Sequence, residues 1–232
     1  MRWLVVLLIL SLAGCATKMG KDGRTQTTVD VKYLVKSDVD RIADTARAEV
    51  IGGLLLIADK LYKRNPKELK KGTAVSREAA VDRLRQRNSR SWPEFGGLRE
   101  RQAAALAFSS AYDGDRVAAL AYGLLTMVDA AFEHKEEFYI LDSLDETKLY
   151  NCARNMEIAV WKLSTDRDAA GDLYLLSNEL DPANRNISFE REFGRITGLL
   201  DFMAKIVADR NGRTLSRTAQ AIATMIFLPV SF

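Results

Sequence analysis

The sequence predicts an all-α fold: a single multi-helix bundle, or an irregular helical-repeat-like domain, behind an apolar leader and a flexible tether. Three observations predict it. From Ser37 onward, apolar residues recur at the helical period near 3.6 rather than the strand period of 2. Capping and breaking residues punctuate that pattern at intervals of about one helix. The composition, 47% hydrophobic and 28% charged over 232 residues, is that of an ordinary globular chain and excludes a disordered, collagen-like or disulfide-dense protein.

The chain opens MRWLVVLLILSLAGC. Arg2 supplies a minimal positive start, Trp3 to Leu10 is an unbroken apolar run, and the residues then shrink toward Cys15. About ten apolar residues are too few to span a bilayer as a helix, but suit the apolar region of a secretory signal peptide. Leu12-Ala13-Gly14-Cys15 resembles the lipobox of bacterial lipoproteins. The resemblance implies removal of residues 1–14 and a covalent lipid on the Cys15 sulfur, palmitate-type acylation of the new amino group included. Alanine rather than aspartate at position 16 implies, by the same resemblance, sorting to the periplasmic face of the outer membrane. Several acyl chains hold a protein far more firmly than one, at ~0.8 kcal/mol per buried CH₂. Residues 15–28 then read as the acylated cysteine and a polar tether without periodicity, and Val29–Val35 as a short extended piece.

The helical domain is expected over residues 29–232. Ser37 and Asp40 have capping-box spacing and open a helix expected to reach Arg64. Val50–Ala58 is apolar all round, which predicts burial on every side, with Gly52 and Gly53 compensated by a close helix crossing. Asn65-Pro66 restarts a short helix, Ser76 opens another, and Trp92-Pro93 through Gly97 breaks the chain. Leu98–Phe108 is helical, and a long helix after Asp115 carries the stripe Val117, Leu120, Leu124, Val128 and Ala131 toward His134. Between Asp145 and Leu163 two apolar stripes, one with Leu149, Cys152 and Met156 and one with Tyr150, Ile158 and Trp161, predict a helix packed between others. Ser188 is expected to cap a helix whose Phe189, Phe193, Ile196, Leu200, Met203 and Val207 form a core stripe ended by Asn211-Gly212. A last helix is expected from Thr214, and the apolar C-terminus is expected to dock on the core. No fixed repeat appears.

The chain offers little for catalysis. It has one histidine, His134, and two cysteines, and no zinc spacing, phosphate loop, nucleophile elbow or dinucleotide fingerprint. Cys152 falls on a core stripe and reads as a structural residue. Asp129, Glu133 and Glu137 fall on one helical face and read as a solvated acidic helix end. No metal and no cofactor beyond the lipid is expected.

Charge is uneven although the net charge is only +3. Residues 60–90 hold eleven cations against three acids, and residues 129–146 hold seven acids against Lys135. The two segments either neutralise each other in the fold or leave a basic surface to steer a partner. Lys63, Arg64, Lys67, Lys70, Lys71, Arg83, Arg85, Arg87 and Arg90 are the candidate partner-binding residues. The sequence therefore suggests a non-enzymatic accessory or assembly subunit that binds another envelope component, anchored to the membrane through its lipid, with no nucleic acid partner. A small-ligand binder with a groove near Trp92, Phe95 and Trp161 is the alternative, and a cell-wall glycan-cleaving enzyme using two carboxylates is the third reading.

Overall fold

A computed structural model of the chain describes residues 36–139, 142–212 and 227–231, and the backbone of 17–19 and 25–27. Residues 1–14, Cys15, Val29–Val35 and the helix expected from Thr214 lie outside these. Within the expected tether, Thr17–Met19 (β1) pairs antiparallel with Thr25–Thr27 (β2). The other regular elements among the described residues are helices, joined by loops.

Helix α1 spans Asp38–Arg64 and starts as its sequence dictates. The Asp40 N–H donates to Ser37 Oγ at 3.2 Å, and the Ser37 N–H donates to Asp40 Oδ2 at 2.8 Å. Two of the four orphan donors of the helix start are thereby satisfied. After α1 come α2 (Pro66–Leu69), α3 (Arg77–Arg85), a 3-10 turn (Pro93–Phe95), α4 (Glu100–Leu106), α5 (Arg116–Ala131), α6 (Glu146–Thr165) and α7 (Ser188–Arg210). Ser76 caps α3 through the Ala79 N–H, and Asp115 caps α5 through the Ala118 N–H. Ser188 is the first residue of α7 rather than its cap; Ile187 holds the cap position and makes no side-chain capping bond.

Helix α5 is the axis of the molecule. All sixteen of its residues are buried, and α1, α3, α4 and α6 pack against it. The single stripe read from the sequence thus understates its role. Its polar residues are buried with partners, as burial requires. Arg116 donates to the carbonyls of Leu106, Ala107 and Ser109, closing the C-terminal end of α4. Thr126 Oγ1 donates to the Tyr122 carbonyl and accepts from the Glu100 N–H at 2.8 Å. The α4–α5 crossing is close because position 123 is glycine: a Cβ there would overlap the backbone of Ala104.

Helix α6 sits between α5 and α7, as its two stripes suggested. Leu149, Cys152, Met156, Ala159 and Leu163 are buried, and so is Ile158, but Trp161 is 38% exposed. The α7 stripe is buried in full. Gly212 ends that helix with φ 64°. Helix α1 crosses α7 at Gly53, where a Cβ would lie 3.0 Å from Ile196. The expectation of all-round burial for Val50–Ala58 fails on the opposite side, because among the described residues no element covers Gly52 or Leu56 there. Beyond α7, Phe227 and Val230 are buried in the same core cluster. They are held by Asn155, which donates to the Leu228 carbonyl and accepts from its N–H.

Candidate functional site

The nine candidate cations separate into three groups. Arg87 is not a surface residue. It is 5% exposed and holds Asp129, itself wholly buried, in a two-pronged pair: Nε to Oδ2 at 2.7 Å and Nη2 to Oδ1 at 2.6 Å. Arg47 and Asn88 complete the cluster, at 2.9 Å and 3.0 Å. Arg87 is therefore removed from the partner-binding set, because a buried bidentate pair has no group left to offer outside. Asp129 likewise leaves the acidic row in which the sequence placed it. Helix α5 stops at Ala131, and Glu133 and His134 take φ of 54° and 57°, so Asp129, Glu133 and Glu137 do not share a helical face. Glu133 pairs with Lys148 and Glu137 with Lys36.

Arg64 and Arg83 are half-buried and tied within the chain. Arg64 reaches Glu179 at 3.4 Å. Arg83 pairs with Glu94, donates to the Ser91 carbonyl and stacks over the Trp92 ring at 3.9 Å. The other six, Lys63, Lys67, Lys70, Lys71, Arg85 and Arg90, are exposed. Four have polar neighbours: Asp59 for Lys63, Glu68 for Lys71, Asp82 for Arg85 and Gln86 for Arg90. Lys67 and Lys70 have no ion pair among the described residues. Arg87 and Asn88 join the basic segment to Asp129 of the acidic one, whereas Glu133, Glu137 and Asp142 pair with Lys148, Lys36 and Lys135, so the two segments do not neutralise each other broadly.

Beside Lys70 the chain folds into a cavity of about 240 Å³. Five pieces converge there: the last turn of α1, the loop 70–76, α3, the 3-10 turn, and the loop that enters α5. Tyr62 donates to Asp115 Oδ2 at 2.8 Å across 53 residues of sequence. Gly72 approaches Asp115 so closely that a Cβ would lie 2.9 Å from Oδ2. Arg83, Glu94, Lys71 and Thr73 add polar lining, and Ala80, Ala118 and Trp92 apolar lining. Tyr112 also lines the cavity, and its hydroxyl is buried with no hydrogen-bond partner among the described residues.

Burial sets the titration of these groups. It pushes the Asp115 carboxyl up to about 6, against the lowering effect of the Ala118 N–H and the Tyr62 hydroxyl. It pushes the Tyr112 phenol up to about 12, with the Asp115 charge adding to the shift. Both carboxylates of the cavity are engaged, Asp115 as helix cap and Tyr62 acceptor, Glu94 by Arg83.

Of the three aromatics expected to line one groove, only Trp92 lines the cavity. Phe95 is stacked behind it with ring centroids 5.4 Å apart, and Trp161 is on α6. Tyr62, Glu94, Tyr112 and Asp115 went unpredicted as site residues. Asp113-Gly114-Asp115 signalled a helix start, and nothing local revealed that Asp115 would meet Tyr62.

No protein-family model, curated protein or solved structure matches the chain.

Cys152 is wholly buried, and burial raises its thiol pKa, so the reactive thiolate is disfavoured. Among the described residues no group of three or more His, Cys, Asp or Glu is arranged to hold a metal ion, and no described helix is long and apolar enough to cross a membrane.

Proposed function

We propose that the protein is a lipid-anchored, non-enzymatic module of the bacterial envelope that binds another envelope component through the basic surface at the end of α1, α2 and α3. The anchor is Cys15, on the strength of the lipobox resemblance, and the periplasmic face of the outer membrane is the proposed location. One observation carries the binding reading: the basic segment keeps Lys63, Lys67, Lys70, Lys71, Arg85 and Arg90 at the surface. Exposed cations of one sign raise the encounter rate with an acidic partner and fix its orientation more than they add affinity.

Side-chain burial supports the same surface. Leu176 and Leu180, 48% and 71% exposed, belong to a loop fixed to the α1–α2 junction. Asn65 donates to the Leu176 carbonyl and accepts from its N–H, both at 2.8 Å. Apolar side chains beside cations are what an interface core with a charged rim requires.

The test is photo-crosslinking of the full chain in cells. A photoreactive residue at position 67 or 70 is expected to trap one envelope protein. The same residue at His134, exposed near the other end of α1, is expected to trap none. The double variant Lys67→Glu, Lys70→Glu with the photoreactive group at Lys63 is expected to lose the adduct. No adduct from positions 67 and 70, or an equal adduct from 134, overturns the reading.

A further inference from the structure

We infer that the outer face of α7 pairs with the same face of a second copy of this chain, the two α7 helices crossing in parallel at Gly194 and Gly198. The inference is independent of the lipid anchor and of the basic surface, since it rests on a different face of the molecule.

The face comes first. Gly194, Gly198 and Phe202 stand four residues apart, so they form one ridge of the helix, on the side away from its buried stripe. No described residue lies within 4 Å of a Cβ placed at Gly194 or Gly198, and Phe202 is 55% exposed. Glycine in a helix is about 1 kcal/mol less favourable than alanine, and no described contact offsets that at either position. Bare glycines let a second backbone approach closely, and the aromatic one turn on gives it a large apolar side chain to pack against.

Charge selects the occupant. The ridge itself carries no ionised side chain, but an ion pair flanks it on each side. Arg195, three residues before Gly198, reaches Glu49 of α1 at 2.9 Å; Asp201, three residues after it, holds Arg154 of α6 at 2.6 Å. In the commonest crossing, near −50°, the i±4 ridges of two helices run along each other. A two-fold axis along that shared ridge lays the Arg195 flank of one copy over the Asp201 flank of the other. Glu49 and Arg195 of one copy are then followed by Asp201 and Arg154 of the second, a row of alternating sign, and the row occurs twice. Such self-complementarity is what an isologous contact requires. An antiparallel crossing on the same ridge sets Arg195 against Arg195 and Asp201 against Asp201, so the orientation is parallel. Arg191 and Lys205 lie seven residues from Gly198, where the crossing axes have diverged to about 12 Å. That exceeds the screening length of about 8 Å at physiological salt, so their repulsion across the axis is small.

One helix crossing is small beside the roughly 1,200 Å² of a stable complex, so the pairing is weak and calls for covalent capture. The full chain would carry single cysteines on α7, be oxidised in intact cells, and be compared with the parent chain on a non-reducing gel. Gly194→Cys and Gly198→Cys are each expected to give a band that mass spectrometry identifies as two copies of this chain. Axes 8–10 Å apart bring both pairs of Cα atoms near the 4.4–6.8 Å span of a disulfide. Lys205→Cys, exposed on the same helix but beyond that span from its counterpart, is expected to give none. Gly194→Leu in the Gly198→Cys chain is expected to lower the dimer at least tenfold. It is also expected to leave the urea midpoint unchanged or raised, because no described residue meets that position and leucine is the better helix former. No dimer from either glycine position, a dimer undiminished by Gly194→Leu, or an equal dimer from Lys205→Cys overturns the inference. So does capture at 198 without capture at 194, the mark of an antiparallel pair, or capture of another protein in place of the dimer.

Discussion

Replacing Asp129 with asparagine keeps the shape of the side chain and removes the charge that faces two guanidiniums. Asp129 is wholly buried and receives four hydrogen bonds, from Arg87 Nε and Nη2, Arg47 Nη2 and Asn88 Nδ2, at 2.6–3.0 Å. The carboxylate can accept all four; an amide can accept at one end only and presents an NH₂ donor to guanidinium donors at the other. Two cations, with side chains 5% and 11% exposed, are then left without a counter-charge. Removing one partner of such a pair costs about 3–5 kcal/mol, which is a large share of the roughly 5–15 kcal/mol that holds a domain folded. Urea unfolding followed by circular dichroism reads this as a fall in the midpoint at constant slope. Asp82→Asn is the control, because Asp82 meets Arg85 at 3.8 Å with both side chains exposed, and such a pair is worth about 0–1 kcal/mol. A further variant separates charge from packing: Asp129→Leu combined with Arg87→Met and Arg47→Met is expected to be more stable than Asp129→Asn alone. The reasoning is refuted if Asp129→Asn costs no more than Asp82→Asn.

Three other outcomes follow from local geometry. Asp115 holds its proton more tightly folded than unfolded, so its contribution to stability is full below about 4, its ordinary value being 3.8, and is lost as pH rises through about 6. Asp115→Asn, which keeps a capping oxygen, is therefore expected to gain on the parent between pH 4 and 7.5 by up to about 3 kcal/mol; a parallel pair of stability–pH curves would show that burial does not act on this carboxyl. Gly52→Ala, on a helix surface with nothing within 4 Å, is expected to stabilise by about 0.5–1 kcal/mol, whereas Gly123→Ala drives a methyl into Ala104 and is expected to destabilise by several times that amount; equal effects in thermal melts would contradict the α4–α5 crossing. Cys152 is expected to resist a thiol reagent in the native protein and to react once in urea, and rapid native labelling would show that α6 opens.

Much of the fold is written locally and is therefore legible. The Ser37 capping box, the α7 stripe and the stop at Asn211-Gly212 depend on residues three to four apart, and each reads directly from spacing. Phe227 and Val230 are buried in the core cluster, in keeping with the apolar character of that segment. What is not legible depends on distance in sequence. Asp129 looks like the start of a solvated acidic row until Arg87 and Arg47 arrive from 42 and 82 residues away. Arg116, Thr126 and Asp129 give α5 an apparent polar side, so its complete burial is hidden; each is satisfied by a carbonyl, an N–H or a cation that only the fold brings near. The same holds for the cavity. Of its members, Lys71 and Arg83 were singled out by charge density and Trp92 by aromatic type, while Tyr62, Tyr112 and Asp115 belong to it only because α1 and the α5 cap meet.

The N-terminal peptide of the protein isolated from native cell membranes is the decisive object, measured by mass spectrometry. A mature chain that begins at Cys15 and carries a diacylglyceryl group on sulfur, with acylation of the amino group, is the expected result, and Cys15→Ala is expected to leave the membrane fraction. An unmodified chain that still begins at Met1 and is recovered in the soluble fraction would contradict the anchor and the envelope role proposed with it.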